Sequence, residues 1–104
     1  MQQCPLDRLV ALDRWYASQC DGQWEHQYGI SLGTVDNPGW HLKVDLAETY
    51  LADRPFDQVF EDQGGDWIRY FVRDQVFIGA CSPSRLAELI DAFLLWAGSD
   101  PSAV

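Results

Sequence analysis

Two periodicities divide this chain. Apolar residues recur at helical spacing through Leu6, Leu9, Val10, Leu12, Trp15 and Tyr16, while Asp7, Arg8 and Arg14 fall mostly on other faces. Pro5 suits a first helical position, and Asp7 places negative charge near the helix N-terminus. A helix is therefore predicted over Pro5–Gln19, ended near Asp21-Gly22, where Gly can take positive φ. From Trp24 the period changes to two. Trp24, His26, Tyr28, Ile30 and Leu32 share one face of a predicted strand; Glu25, Gln27, Gly29 and Ser31 share the other. Asp36-Asn37-Pro38-Gly39 reads as a turn, with Pro presetting φ and Gly39 accepting positive φ. A second alternation follows, with Trp40, Leu42, Val44 and Leu46 inward and His41, Lys43 and Asp45 outward. The two strands are predicted to pair as an antiparallel hairpin.

Residues 47–55 show no clear period and are expected to form a loop or a short helical turn. Residues 56–62 read as a third strand, although the adjacent Val59 and Phe60 leave its inward face open. Gln63-Gly64-Gly65-Asp66 is a turn by composition. Residues 67–73 and 76–80 read as fourth and fifth strands joined tightly around Asp74-Gln75. Both faces of this pair carry apolar groups: Ile68, Tyr70 and Val72 on one, Trp67 and Phe71 between Arg69 and Arg73 on the other. A sheet covered by helices on one face does not need the second set. Trp67 and Phe71 are thus expected to be half exposed, where a binding surface would be sought. Ser82 is a good N-cap and Pro83 a good first residue for a closing helix. Its stripe is Leu86, Leu89, Ile90, Phe93, Leu94 and Ala97; Gly98 ends it, and residues 99–104 read as a frayed tail. The expectation is one α+β domain over residues 1–104: an antiparallel sheet of about five strands with an N-terminal and a C-terminal helix packed on one face.

Composition narrows the function classes. A chain of 104 residues, 47% hydrophobic and 22% charged, is long enough for one cored domain and is not disordered. Seven basic against 16 acidic residues give a net charge of −9. Such a field repels nucleic acid and anionic membranes and attracts basic partners. The longest apolar run, residues 92–97, is far below the roughly 20 residues of a membrane span. No basic region followed by an apolar core opens the chain, so a cytoplasmic location is expected, with neither nucleic acid nor membrane as partner.

Chemistry-bearing residues are few. Cys4, Cys20 and Cys81 are odd in number and widely spaced, which is not a disulfide framework. With His26 and His41 they make five potential metal ligands without paired spacing, so no metal or cofactor is expected. His26, on a largely apolar face, reads as a hydrogen-bonded core histidine. Asp21, Glu25 and His26 could form an acid–base set, but strand alternation sends Glu25 and His26 to opposite faces. Cys81-Ser82-Pro83-Ser84-Arg85 has the makings of a nucleophile loop of sulfurtransferase type, a thiol beside a helix N-terminus and an Arg. Three residues between Cys81 and Arg85, one of them Pro without an N–H, make a short anion cradle. No phosphate loop, dinucleotide fingerprint or serine triad is present.

The aromatic-rich stretch WYASQCDGQWEHQYGISLGTVDNPGWHLKVDL resembles the immunity protein 53 family of bacterial polymorphic toxin systems. The likeness continues through Asp66-Trp67-Ile68, Gly79-Ala80 before Pro83, and the helix over residues 86–96. Family members are Gly-rich around positions 81 and 82, where this chain has Cys81-Ser82, which argues further against a nucleophilic Cys81. The resemblance implies a small cytoplasmic protein that binds and neutralises a cognate toxin domain without catalysis. The acidic charge adds a basic target, such as a nuclease, reached by electrostatic complementarity. A cysteine enzyme using Cys81 and a generic acidic interaction module are the alternatives. Partner contacts are expected from Glu25 on the outer face of the first strand, Asp36 at the hairpin turn, and Asp66 with Trp67 after the glycine turn. A shared patch requires those two turns to lie at the same sheet end.

Overall fold

The computed structural model describes residues 5–98, with side chains from Arg8 onward; Cys4 and the tail read over residues 99–104 lie outside the described residues. The strands are β1 (Ile30–Val35), β2 (Gly39–Asp45), β3 (Val59–Gln63), β4 (Asp66–Arg73) and β5 (Val76–Cys81). They form one antiparallel sheet in the order β1-β2-β5-β4-β3. Helices α1 (Pro5–Gln19) and α3 (Leu86–Ala97) enclose it in sequence, and a single helical turn, α2 (Trp24–Gln27), joins α1 to β1.

Register carries one strand's alternation across the sheet. Trp40 pairs with Cys81 and Cys81 with Ile68; Leu42, Gly79 and Tyr70 form the next row, and Val44, Phe77 and Val72 the third. These rows share one face, and Leu42, Val44, Phe77, Cys81 and Ile68 on it are fully buried. Helix α3 covers them with Leu89, Ile90 and Phe93. It lies so close that a Cβ at Gly79 would run into Leu89 Cδ1. Phe93 makes edge contacts with Phe77 at 5.2 Å and with Trp15 of α1 at 5.0 Å, which brings α1 into the same core. Arg8 and Asp91 lock α1 to α3 through two hydrogen bonds of 2.9 and 2.8 Å. Both long helices therefore lie on one side of a five-stranded sheet, as the periodicity predicts.

Local chemistry corrects several boundaries. The predicted first strand begins at Ile30, not Trp24. The Asp21 carboxylate accepts from the Gln23 and Trp24 N–H groups, and the Glu25 carboxylate accepts in return from Asp21 and Gly22. This reciprocal arrangement satisfies the orphan donors of one helical turn. His26 is consequently exposed rather than a core histidine. Gly39 does not adopt positive φ. It is Gly because a Cβ there would strike the Cys81 carbonyl oxygen and come within 3.1 Å of the Trp67 ring. The third strand starts at Val59, since Phe56 is drawn out of line into contacts with Trp96, Phe77 and Tyr70. Ser82 does not cap the closing helix. Its hydroxyl accepts from Trp67 N–H and donates to Asp66, and Pro83–Arg85 form a 3₁₀ turn before α3. Gly98 ends α3 at φ 63°, as expected.

Candidate partner-binding surface

The register that buries one face of the sheet leaves the other without a covering layer among the described residues. Along β4 that open face carries Trp67, Arg69, Phe71 and Arg73 in alternation. Each Arg lies over the ring two residues before it: Arg69 Cζ stands 5.3 Å from the Trp67 ring centre, and Arg73 Cζ 5.1 Å from that of Phe71. Cation–ring contacts at such sites contribute about 0.5–1 kcal/mol each and hold the guanidinium groups in place. From edge strand β3, Phe60 stacks on Phe71 at 6.2 Å and 17°, yet remains 60% exposed. Val76 and Ile78 of β5 and His41 and Lys43 of β2 extend the surface. Phe60 and Phe71 in ring contact, with Ile78 paired beside Phe71, form an apolar cluster rather than the singly scattered hydrophobes of ordinary surfaces, and such clustering marks an interaction site.

Three of the four residues expected to meet a partner gather at one end of the sheet. The β1–β2 and β3–β4 turns both lie beyond the row of Trp40, Cys81 and Ile68, so Asp36 and Trp67 share that end. A groove of about 320 Å³ lined by Asn37, Phe60, Asp62, Trp67 and Arg69 connects the two turns. The Trp67 ring reaches across to Gly39, where there is no side chain to stop it. Asp66 is at the same end but engages the helical side: it accepts from the Ser82 hydroxyl at 3.1 Å and stands 3.8 Å from Arg85 Nε. Glu25 is elsewhere. It sits on α2, before β1, and its carboxylate is occupied by the Asp21 and Gly22 N–H groups, so it is not on the outer face of a strand.

The candidate chemical groups are spent on structure. Cys81 is fully buried on the core face, and burial pushes its thiol up, outweighing the smaller opposing pull of Arg85. Arg85 itself is taken by Glu88 at 3.0 and 2.7 Å and by Glu61 at 3.1 Å, so no anion cradle faces the sulfur. The Trp24 N–H, then that of Gln23, hold Asp21 below the usual carboxylate range. Among the described residues no three His, Cys, Asp or Glu side chains converge to hold a metal ion. No helix among them is long and apolar enough to cross a membrane. Phe60 and the three cations are the surface residues that sequence reasoning did not single out. The signal for Phe60 was present but ambiguous, because Val59 beside it competes for the inward position.

No curated protein and no solved structure matches the chain. The model of immunity protein 53 matches residues 9–98, from the first helix to the glycine that ends the last. The chain therefore belongs to the immunity protein 53 family, and that membership suggests a toxin-neutralising protein rather than a catalyst.

Proposed function

We propose that the protein acts in the cytoplasm by binding a cognate polymorphic toxin domain and blocking it, with no reaction of its own. The observation that supports this most is the uncovered sheet face, on which Phe60 stacks on Phe71 and shares a groove with Trp67 and Arg69. Aromatic anchors of this kind carry much of the energy of protein interfaces. Size also bears on the reading. Five strands about 4.8 Å apart and roughly six residues long cover about 24 by 20 Å, near 480 Å² in projection. A stable interface needs about 800 Å² per partner, so the face must be supplemented by its rim. Asp36 in the β1–β2 turn and Asp66 after the β3–β4 turn are the proposed rim contacts, with Trp67 between them; Glu25, tied into its own turn, is left out. The net charge of −9 favours a basic toxin such as a nuclease, because opposite overall charges speed encounter.

Co-expression tests the reading. Where a gene next to this one encodes a polymorphic toxin domain, that domain should arrest growth alone and lose that effect when the immunity protein is co-expressed, with the two proteins recovered as a complex. Continued toxicity in the presence of soluble, folded immunity protein would refute it.

A further inference from the structure

Resting on that reading, we propose that the centre of the open sheet face docks a carboxylate-bearing patch of the partner protein, with Lys43, Arg69 and Arg73 as its charged contacts. The charge distribution points there. Three of the chain's seven basic residues stand on the strands of this face, against two of its 16 acidic ones, Asp45 and Asp62. Those two lie at opposite ends of the face, and Asp45 already accepts from the Gly29 N–H at 2.9 Å. Of the four other cations three are engaged: Arg8 with Asp91, Arg85 with Glu61 and Glu88, Arg54 with the Trp96 and Ala97 carbonyls; the fourth, Arg14, stands on α1, away from the sheet strands. Among the described residues Lys43, Arg69 and Arg73 have no ion pair. Aromatic rings fix the positions of the two Arg groups without cancelling their charge, and Lys43 shares a row with Ile78 and Phe71. Lys43 and Arg73 line one groove of about 540 Å³, together with Asp45 and, from the β4–β5 turn, Asp74.

The sign of this face is opposite to that of the molecule. Approaching to within the screening length of about 8 Å, a partner meets the summed charge of −9, whereas in contact it meets two ring-held guanidinium groups and Lys43 on apolar ground. A toxin that is basic overall but carries carboxylates at the recognised patch satisfies both requirements. The wrong orientation would bring like charges together, so the reversal also selects the docking pose. Cations interleaved with rings would also suit single-stranded nucleic acid, but a phosphate chain extends past this small face into the acidic field.

Lys43 is the only lysine in the chain, which makes the test specific. Zero-length carbodiimide coupling of the complex with the toxin domain that this protein neutralises in co-expression should join Lys43 to an Asp or Glu of the toxin, mapped by mass spectrometry. The triple variant K43Q/R69Q/R73Q should bind that domain about tenfold or more weakly, and Lys43→Glu alone about threefold, at unchanged urea midpoints. The single variant rests on an exposed side chain, so it stays informative if the triple variant unfolds. Absence of Lys43 links together with triple-variant affinity within about twofold of wild type would overturn the inference and leave the immunity reading standing. A single-stranded RNA oligonucleotide that shields Lys43 from acetylation where the toxin domain does not would overturn it in favour of nucleic acid. Failure of the wild-type protein to bind the toxin domain would refute both readings.

Discussion

Replacing Trp24 with Ala should nearly unfold the protein, although Trp24 belongs to a helix of only four residues. Its side chain is 3% exposed and touches three other rings: Trp15 at 6.2 Å and 82°, Tyr16 at 6.0 Å and 61°, and Tyr28 at 6.0 Å. Its indole N–H donates to the Ala47 carbonyl at 2.9 Å, tying the α1–β1 connection to the loop after β2. A buried aromatic removes about 150–250 Å² from water, which at about 25 cal/mol per Å² is roughly 4–6 kcal/mol as an upper estimate. Mutational series for Trp and Phe to Ala give about 3–5 kcal/mol, and the half-buried Ala47 carbonyl can turn to water, so about 4 kcal/mol is expected. For a chain of this length that corresponds to a fall in Tm of about 15–20 °C. Trp24→Phe keeps most of the packing and loses the hydrogen bond, at about 1–2 kcal/mol. Urea unfolding followed by far-ultraviolet circular dichroism separates the two. A double-mutant cycle with Trp15 should add a coupling of about 0.5–1.5 kcal/mol for the edge-to-face pair. A Trp24→Ala midpoint close to wild type would show that α2 is not part of the core, and equal losses for Phe and Ala would show that the hydrogen bond, not packing, dominates.

Three further outcomes follow from other parts of the fold. Gly39→Ala should destabilise by about 2–3 kcal/mol and displace Trp67, seen as an altered near-ultraviolet spectrum, because its Cβ meets the fixed Cys81 carbonyl rather than a flexible side chain. Cys81 should react with iodoacetamide only as fast as the protein opens, even as pH rises through the ordinary thiol range, because burial raises its pKa; rapid labelling of the folded protein would contradict its placement. Asp21→Asn should be less stable than wild type at neutral pH. Asp21's folded pKa lies below its unfolded one, so its contribution is full above the unfolded value and is lost as pH falls through the folded value. The two proteins should converge in acid, and a gap independent of pH would mean the charge is not the cause.

How much of this was legible in the sequence depended on how local the cause was. Both long helices and β2 follow from periodicity and end signals: Pro5, Gly98 and the strict alternation from Trp40 to Leu46 suffice. The stretch from Trp24 misleads because a spacing of four, Trp24 to Tyr28, satisfies both a strand and a helix. The deciding interaction is a pair of carboxylates, Asp21 and Glu25, bonding the backbone of their own turn. Gly39 and Ser82 look like turn and cap residues, but contacts with Cys81 and with Asp66 and Trp67 across the sheet determine both. The open face was half legible. Apolar groups on both sides of β4 expose Trp67 and Phe71, whereas grouping them with Lys43 and Phe60 requires the strand order, which no local pattern encodes. Glu25 was placed on the outer face of a strand for the same reason that the first strand was begun too early; it lies on α2 instead.

The uncovered sheet face is the proposed seat of the toxin. Titration calorimetry with the toxin domain that this protein neutralises in co-expression decides it, comparing wild type with Phe60→Ala, Trp67→Ala and Leu95→Ala. Leu95 is 82% exposed on α3, so its truncation is an equally mild change away from the sheet face. Wild type and Leu95→Ala should bind tightly, with losses of about tenfold or more for Phe60→Ala and Trp67→Ala at retained fold. Full affinity of the two aromatic variants, with loss at Leu95→Ala, would contradict it.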